Sequence, residues 1–319
     1  MRRRDFLTTS IYSSIGLGLV GTSLSSCSDL LSESTALAFE GAIPQGGLPF
    51  KISLAQWSLN NSLWSGQLDN LDFARYTKEK FDIDGLEYVN QFFMDKAKDT
   101  SYLSEMNQRA EDHGMKNLLI MIDMEGPLAS LDEKNRLEAV DKHYKWIDAA
   151  KFLNCHSIRV NAIGKGERKA VANAMVDSLG RLCEYGAKEE INVVVENHGG
   201  YSSDASWLVD VMRQVDSPYC GTLPDFGNFN VNMFPPINYD PIQGMGELMP
   251  FAKGVSAKSM EFDSKGFDKS IDFPAIMKIV QDFKYDGYIG IEYGGYKLSE
   301  EAGIRATKEL LIKSTGSSS

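Results

Sequence analysis

The chain has 319 residues, of which 43% are hydrophobic and 24% charged, with a mean hydropathy of −0.26. This composition is typical of a globular protein with an ample core, and the length allows one large domain or two. The formal net charge is −11. Because such an acidic surface repels phosphate backbones, we expect no nucleic-acid partner.

Residues 1–26 have the layout of an export signal. Three arginines at positions 2–4 precede a weakly apolar, uncharged stretch from Ile11 to Leu24, which is too short and too rich in Ser and Gly to span a bilayer. Arg3-Arg4, followed after one spacer by Phe6-Leu7, resembles the twin-arginine signal. We therefore predict an exported bacterial protein.

Cys27 follows this signal in a second characteristic pattern. Leu24-Ser25-Ser26-Cys27 resembles a bacterial lipobox, in which the cysteine carries the lipid and begins the mature chain. The alternative is an ordinary cleaved signal that happens to contain a cysteine. We interpret residues 27–49, rich in Ser, Gly, Ala and Leu, as a flexible tether. The predicted protein is periplasmic or a membrane-anchored lipoprotein, and its contact with the membrane is limited to the lipid anchor.

The three remaining cysteines, Cys155, Cys183 and Cys220, are odd in number, widely spaced and embedded in apolar sequence. That arrangement favours buried thiols over a disulfide framework or a zinc site.

From Lys51 on, apolar or β-branched runs alternate with longer amphipathic segments, which is the pattern of repeated βα units. The predicted strands are Ile52–Trp57, Gly85–Val89, Asn117–Asp123, Ser157–Asn161, Asn192–Asn197, Gly221–Phe226, Gly254–Ser259 and Tyr288–Tyr293. The predicted helices are Leu71–Lys80, Thr100–His113, Asp132–Phe152, Arg168–Glu189, Asp204–Val215, Tyr239–Pro250, Phe273–Phe283 and Ser299–Lys313.

Eight such units predict an α/β protein with one domain, a (β/α)8 TIM barrel over residues 50–313, followed by a disordered tail over 314–319. The size agrees with the usual barrel of about 250 residues. A doubly wound open sheet is the alternative. It is disfavoured because Gln56-Trp57-Ser58-Leu59 stands after the first strand in place of a Gly-rich phosphate turn.

Catalytic groups of such barrels lie at the C-terminal ends of the strands, and three acids stand there. Glu196 follows three valines, Asp225 ends the next strand, and Glu292 ends the last one. A loop or helix-capping carboxylate is the alternative for Glu196, and an Asx turn is the alternative for Asp225. Three carboxylates meeting at one mouth would require a divalent cation, with Mn²⁺ or Mg²⁺ favoured and other ions open. His198, two residues after Glu196, faces the same side.

Lys258 lies on the seventh strand, on the same face as Ser256. A lysine beside carboxylates can bind a substrate oxygen or stabilise an enolate, although a surface lysine is the alternative. Further residues at strand ends are expected to line the pocket and bind substrate. They are Gln56, Trp57, Glu87, Asp123, Glu125, Arg159 and Asn161, with Trp57 or Phe229 able to stack on a ligand or simply to pack.

Four segments together resemble the xylose isomerase-like TIM barrel superfamily, which includes sugar phosphate isomerases and epimerases. They are Val-Val-Val-Glu-Asn-His-Gly-Gly, Leu-Pro-Asp-Phe-Gly-Asn, Val-Ser-Ala-Lys-Ser and Gly-Ile-Glu-Tyr, and the resemblance covers nearly all of residues 50–313. It implies a metal held by Glu, Asp, His and Glu from the fifth to eighth strands. Glu196, Asp225 and Glu292 match three of these positions.

Two positions depart from the family pattern. Ser256 stands where the family has its metal-binding histidine, and Asn228 stands where a substrate-binding histidine is common. His198 or water could complete the metal sphere. Ser256, Asn228 and His198 are therefore also predicted to contact substrate.

The resemblance implies proton transfer alpha to a carbonyl of a sugar or keto-sugar, as in isomerases and epimerases. Glu196 or Glu292 would move the proton, and the metal or Lys258 would polarise the carbonyl. A 3-keto-sugar or keto-glycoside hydratase or lyase is one alternative, and a non-catalytic carbohydrate-binding lipoprotein is another. A DNA-repair endonuclease is disfavoured because the chain has four histidines and an acidic surface.

Overall fold

The computed structural model describes residues 47–316. The predicted export signal, Cys27 and most of the predicted tether lie outside these described residues. None of the helices in this part of the chain is both long enough and apolar enough to cross a membrane.

Ten strands and nine α-helices are found between residues 47 and 316. The strands are β1 Lys51–Ala55, β2 Gly85–Val89, β3 Lys116–Met121, β4 Ser157–Val160, β5 Asn192–Glu196, β6 Cys220–Leu223, β7 Asn230–Met233, β8 Pro236–Asn238, β9 Val255–Ser259 and β10 Tyr288–Tyr293. The helices are α1 Asn60–Trp64, α2 Phe73–Phe81, α3 Thr100–Asp112, α4 Glu133–Phe152, α5 Arg168–Glu189, α6 Ala205–Val215, α7 Pro241–Leu248, α8 Phe273–Asp282 and α9 Glu300–Thr315.

Eight of the strands form one parallel sheet in the order β6-β5-β4-β3-β2-β1-β10-β9. The two edge strands then meet through isolated parallel bridges, Thr222 with Ala252 and Asp225 with Ser256. At this seam the Ser256 N–H donates to the Pro224 carbonyl at 2.9 Å, and the Phe226 N–H donates to the Ser256 carbonyl at 3.0 Å. The sheet therefore closes, and the predicted (β/α)8 barrel is confirmed.

Alternation along the strands sorts the side chains into two cores. In β5, Val193 and Val195 belong to the large core between the strands and the helices. Val194 belongs to a small inner cluster with Ala55, Val89, Leu119, Met121 and Leu223, which fills the barrel. Glu196 is two residues beyond Val194 and so points inward one layer higher, at the mouth of the barrel.

Side chains cap the starts of several helices. The Asp132 side chain accepts from the Asn135 N–H at 3.0 Å and the Ser299 side chain accepts from the Ala302 N–H at 3.3 Å. The last helix runs to Thr315, so residues 314 and 315 are helical and do not belong to the predicted disordered tail. Residues 317–319 lie outside the described part of the chain.

The antiparallel hairpin β7–β8 was not predicted, and it lies between β6 and α7. The cysteines agree with the sequence interpretation in part. Cys155 and Cys183 are buried, Cys220 is half-buried, and all three are free thiols.

Candidate active site

Three acidic side chains meet at the C-terminal mouth of the barrel. Glu196 ends β5, Asp225 follows β6, and Glu292 lies in β10. One carboxylate oxygen from each residue lies within 4.8 Å of the other two. Glu196 and Asp225 are fully buried, and Glu292 is 4% exposed. Such a cluster needs a proton, a cationic side chain or a metal ion to offset the loss of solvation.

Asp225 is held on both of its oxygens. Oδ1 accepts from the N–H groups of Gly227 and Asn228, each at 2.8 Å. Oδ2 accepts from the Ser256 hydroxyl at 2.8 Å. The Asx turn that the sequence offered as an alternative is therefore present in the same residue that joins the acidic cluster. Burial raises the pKa of Asp225 well above its usual range, with Lys258 opposing and the neighbouring glutamates adding to the rise.

Glu196 has one oxygen that is incompletely satisfied. Oε1 accepts from the Asn228 side-chain amide at 3.1 Å. Oε2 lies 2.9 Å from Arg159 Nε. That contact lacks hydrogen-bond geometry, so neither atom has a hydrogen-bond partner among the described residues. Burial raises the pKa of Glu196 above its usual range, although the charge of Arg159 opposes this.

Glu292 has the opposite electrostatic environment. Its Oε1 forms a short ion pair with Lys258 Nζ, and its Oε2 is 3.3 Å from the Ser256 hydroxyl. Burial alone would raise the pKa of Glu292, but the charge and hydrogen bond of Lys258 hold that pKa below its usual range. Ser256 has one hydroxyl hydrogen, so Glu292 and Asp225 must share it. Two glutamates of one pocket thus have pKa values displaced in opposite directions, as in acid and base pairs.

Arg159 connects the acidic cluster to a second group of side chains. Its Nη1 donates to Asp123 Oδ1 at 2.8 Å and to Asn161 Oδ1 at 3.1 Å, and the Asn161 amide donates to Asp123 at 2.7 Å. Gln91 donates to the other Asp123 oxygen at 3.0 Å. Burial opposes ionisation of Asp123, yet the Arg159 charge and hydrogen bond lower its pKa to about 2. Asp123 is therefore ionised and keeps Arg159 beside Glu196.

Two of the residues predicted to bind substrate, Gln56 and Glu87, are buried and make internal contacts. Gln56 is fully buried. Its Oε1 accepts from the Val89 N–H at 2.9 Å and its amide donates to Asn70 at 2.6 Å, so it joins the segments after β1 and β2. Glu87 is 2% exposed. It lies in the middle of its strand, two residues before the inner-core Val89, and therefore points into the barrel below the mouth.

Glu87 is accommodated by a glycine. A Cβ atom placed on Gly290 would lie 2.4 Å from both Glu87 oxygens. The Ser53 hydroxyl donates to Glu87 Oε1 at 2.6 Å. Burial raises the pKa of Glu87 to about 7. Glu125 is likewise structural, because it accepts from the Trp146 indole at 2.7 Å and pairs with Lys145 at 2.6 Å.

Trp57 and His198 lie nearer the opening. Trp57 is half-buried and packs against the inner core, and its ring meets Trp64 edge-on with centroids 5.2 Å apart. His198 is exposed, and its ring is not among the groups within 4.8 Å that could hold a metal ion. Loss of solvation near the surrounding protein lowers the pKa of His198, and the positive charges of Arg159 and Lys258 lower it further. The structure thus places His198 beside the cluster and not in it.

The sequence reasoning missed Asn197, which holds the loop after β6 in place. Its amide donates to the carbonyls of Asp225 at 3.0 Å and Asn228 at 3.1 Å, and its Oδ1 accepts from the Asp225 N–H at 2.7 Å. Ser203 donates to the same Asn228 carbonyl at 2.7 Å. Asn197 stands between Glu196 and His198, so its position at a strand end was a usable signal. Its partners are backbone groups, which no motif reveals.

A family model described as xylose isomerase-like TIM barrel matches residues 79–314. No curated protein sequence matches the chain. Among solved structures, similarity extends to 3-keto-D-glucoside 4-epimerase from E. coli, with 15% identity and a TM-score of 0.62 over 82% of this chain and 98% of that one.

Two further structures show the same likeness. A probable 3-DHS dehydratase from Bacillus anthracis has 14% identity and a TM-score of 0.58 over 83% of this chain and 98% of that one. A xylose isomerase-like TIM barrel protein from Mycobacterium smegmatis, in complex with magnesium, has 14% identity and a TM-score of 0.60 over 83% and 97% of the two chains. At such low identities the structural likeness shows the fold alone.

Proposed function

The chain belongs to the xylose isomerase-like TIM barrel family, and on that premise we propose that it is a sugar isomerase or epimerase. The reaction is proton transfer alpha to a carbonyl of a sugar or keto-sugar. The observation that carries the proposal is the pair Glu196 and Glu292, two buried glutamates of one mouth whose pKa values are displaced upward and downward. A general base that removes a proton and a general acid that returns one need different pKa values.

Each role follows from the contacts of one side chain. Glu292 is ionised and is the candidate base, while Glu196, whose pKa is raised, is the candidate acid. Lys258, paired with Glu292, is placed to bind a substrate oxygen and stabilise an enolate. Asn228 and Ser256 hold the carboxylates of Glu196 and Asp225 in position.

The donor set fits a divalent metal. Glu196, Asp225 and Glu292 would hold it, since their oxygens converge and Glu196 Oε2 has no hydrogen-bond partner among the described residues. Carboxylate oxygens favour Mn²⁺ or Mg²⁺, and the similar M. smegmatis structure contains magnesium. When bound, such an ion would supply Lewis-acid polarisation of the substrate carbonyl.

Hydration or elimination at the same carbon is the second candidate reaction. An acid with a raised pKa beside an ionised base is also the arrangement that protonates a leaving hydroxyl group or glycosidic oxygen. One similar structure carries the name of a dehydratase. The 3-keto-sugar or keto-glycoside hydratase or lyase therefore shares the site with the epimerase proposal. Ser256 and Asn228 in place of histidines favour the third candidate, a sugar-binding lipoprotein without turnover.

Deuterium exchange separates these candidates. The purified protein is incubated with Mn²⁺ or Mg²⁺ and a panel of ketoses and keto-glycosides in D₂O, and NMR measures solvent deuterium in the substrate and any product. Glu196→Gln and Glu292→Gln should each lower the rate by about 10²- to 10⁴-fold. Their thermal unfolding should stay close to that of the parent.

Glu184→Gln on the exposed face of α5 is the matched control and should keep full activity. Near-normal turnover in either site variant would remove that glutamate from the mechanism. Absence of exchange with every sugar, together with absence of bound metal, would leave the sugar-binding lipoprotein.

Localisation is a separate proposal that rests on the sequence alone. The arginine-led signal and the lipobox ending at Cys27 support export and attachment to a membrane through lipid. An exported enzyme meets free sugars more often than sugar phosphates, so we favour unphosphorylated substrates. Cell fractionation of the parent and Cys27→Ser chains tests the anchor, because only the parent should remain with membranes.

A further inference from the structure

Several large exposed apolar side chains belong to segments at the end of the barrel that carries the acids. Five of them define what we call the apolar rim: Trp64, Met124, Ile163, Phe234 and Tyr296. Phe234 and Tyr296 are the most exposed, at 86% and 82%. A single exposed hydrophobic residue needs no explanation, but a group of them around one site indicates contact with an apolar ligand or partner.

Topology places these five residues around the mouth. Four of them lie in the segments that follow β1, β3, β4 and β10, and Phe234 lies at the turn of the β7–β8 hairpin, which is inserted after β6. All parallel strands of a barrel end at the same face. Met124 directly follows Asp123, and Ile163 is two residues after Asn161. Tyr296 is four residues after Glu292. Each of the three is thus tied closely along the chain to a side chain of the polar site.

Trp64 extends the inner core outward to the rim. Its ring meets Trp57 edge-on at 5.2 Å and Phe92 at 5.7 Å, and those two rings pack against the inner cluster of the barrel. A continuous apolar surface therefore leads from the barrel interior to solvent. A sugar lying among the acids would have this surface beside it.

Met124 is held outward in an unfavourable backbone conformation. Its φ is +61°, in the left-handed region that non-glycine residues rarely adopt, and its side chain is 74% exposed. Both neighbours are fixed, since Asp123 binds Arg159 and Glu125 binds Trp146. Backbone strain of this kind persists where the surroundings enforce it and is concentrated at ligand sites.

We propose that the substrate is amphiphilic, a glycoside or keto-glycoside whose sugar lies among the acids and whose apolar aglycone lies on the apolar rim. The inference rests on the proposed function and narrows its substrate class. A bare monosaccharide would fill the polar site and leave the rim in water. Self-association and anionic bilayers are disfavoured as occupants of the rim, because each chain carries a net charge of −11.

Matched ligands test the inference. Titration calorimetry measures Kd for methyl and phenyl members of the same glycoside, across glucosides, galactosides, xylosides and their 3-keto forms. If the phenyl ring contacts the rim, the Kd of the phenyl glycoside should be about 10- to 100-fold lower than that of the methyl glycoside. The double variant Phe234→Ser, Tyr296→Ser should bring that ratio close to one and leave the Kd of the methyl glycoside unchanged.

Phe152→Ser and Phe283→Ser are the matched controls, because both phenylalanines are exposed at the opposite end of the barrel. Both variants should keep the parent ratio. If phenyl and methyl glycosides bind equally while deuterium exchange is intact, the rim does not bind an aglycone, but the proposed function still stands. If the phenyl glycoside binds more tightly but no exchange occurs, the rim binds the aglycone and the proposed function is wrong. If neither preferential binding nor exchange is seen, both proposals are wrong.

Two further results would also overturn the inference. Sedimentation that shows dissociation of an oligomer in the rim double variant would assign the rim to a second copy of the chain. Loss of binding to phosphatidylglycerol vesicles in that variant would assign it to a membrane.

Discussion

Two buried glutamates show how depth in the barrel changes the chemistry of one residue type. Glu87 and Glu196 each have an oxygen without a hydrogen-bond partner among the described residues. Glu196 lies at the mouth beside two other carboxylates, so a cation can satisfy its free oxygen. Glu87 lies below, beside Ser53 and Gly290, and a proton is the simplest way to neutralise it there.

The pH dependence of stability should report Glu87. Its pKa is about 7 in the folded chain and about 4.5 when unfolded, so between these values the folded state binds more proton. Stability conferred by the protonated acid is therefore lost as pH rises from 4.5 to 7. Glu87→Gln cannot ionise. The free energy of unfolding of this variant, relative to the parent, should rise by about 3 kcal/mol from pH 4 to pH 8.

Urea unfolding of both chains at the two pH values measures this difference. Glu184→Gln is the control, since Glu184 is exposed and should leave the pH profile unchanged. Parallel pH profiles for the parent and Glu87→Gln would mean that Glu87 is ionised in the folded protein.

The strands that build the site were predictable because burial on both faces leaves a plain mark in the sequence. Val193 to Val195 and Ile289 to Ile291 are uninterrupted or nearly uninterrupted apolar runs, and both are buried strands. The hairpin β7–β8 leaves no such mark. Its strands, Asn230–Met233 and Pro236–Asn238, are largely exposed and contain asparagine and proline in place of alternating apolar residues.

Residues near the mouth were predictable from their position at the end of a strand. The depth of an inward side chain along the barrel axis was not predictable. Asp123 and Asn161 were placed in strands, whereas β3 ends at Met121 and β4 at Val160, and both residues lie just beyond, around Arg159. Glu87 lies in the middle of its strand, and its side chain points into the barrel. The layer that an inward residue occupies depends on the register with neighbouring strands, and one strand alone does not encode it.

Asn197 should control the loop after β6. Alanine at this position leaves the N–H and the carbonyl of buried Asp225 without their partner and leaves the Asn228 carbonyl bonded to Ser203 alone, which should cost about 2 to 4 kcal/mol in the free energy of unfolding. Because that loop carries Asp225 and Asn228, metal affinity should fall as well. Urea unfolding and metal titration measure the two effects.

Asn192→Ala is the matched control on the other end of β5. Its side-chain amide donates to the His156 carbonyl at 2.8 Å, far from the mouth. We expect a smaller loss of stability and unchanged metal affinity. A similar loss of both properties in the two variants would contradict a specific role for Asn197.

At the scale of the whole molecule, the barrel has one weak junction. β2 and β3 pair over five positions with one irregularity, whereas β6 and β9 meet only at two isolated bridges. Asp225 and Ser256 form one of these bridges, and the Ser256 hydroxyl lies between Asp225 and Glu292. The acids that would hold a metal therefore lie across the place where the barrel closes.

Metal binding should therefore stabilise the barrel most strongly at the junction of β6 and β9. At 100 times Kd, a divalent ion adds about 2.7 kcal/mol by mass action, which should raise Tm by about 4 to 8 °C. Hydrogen exchange of the Phe226 and Ser256 amides, which bond across the seam, should slow more than exchange of the amides in β2 and β3. Asp225→Asn should abolish both effects, because it removes one charge while leaving the other side chains of the seam in place. Slowing spread evenly over all strands would mean that the ion stabilises the fold as a whole and does not act at the β6–β9 junction.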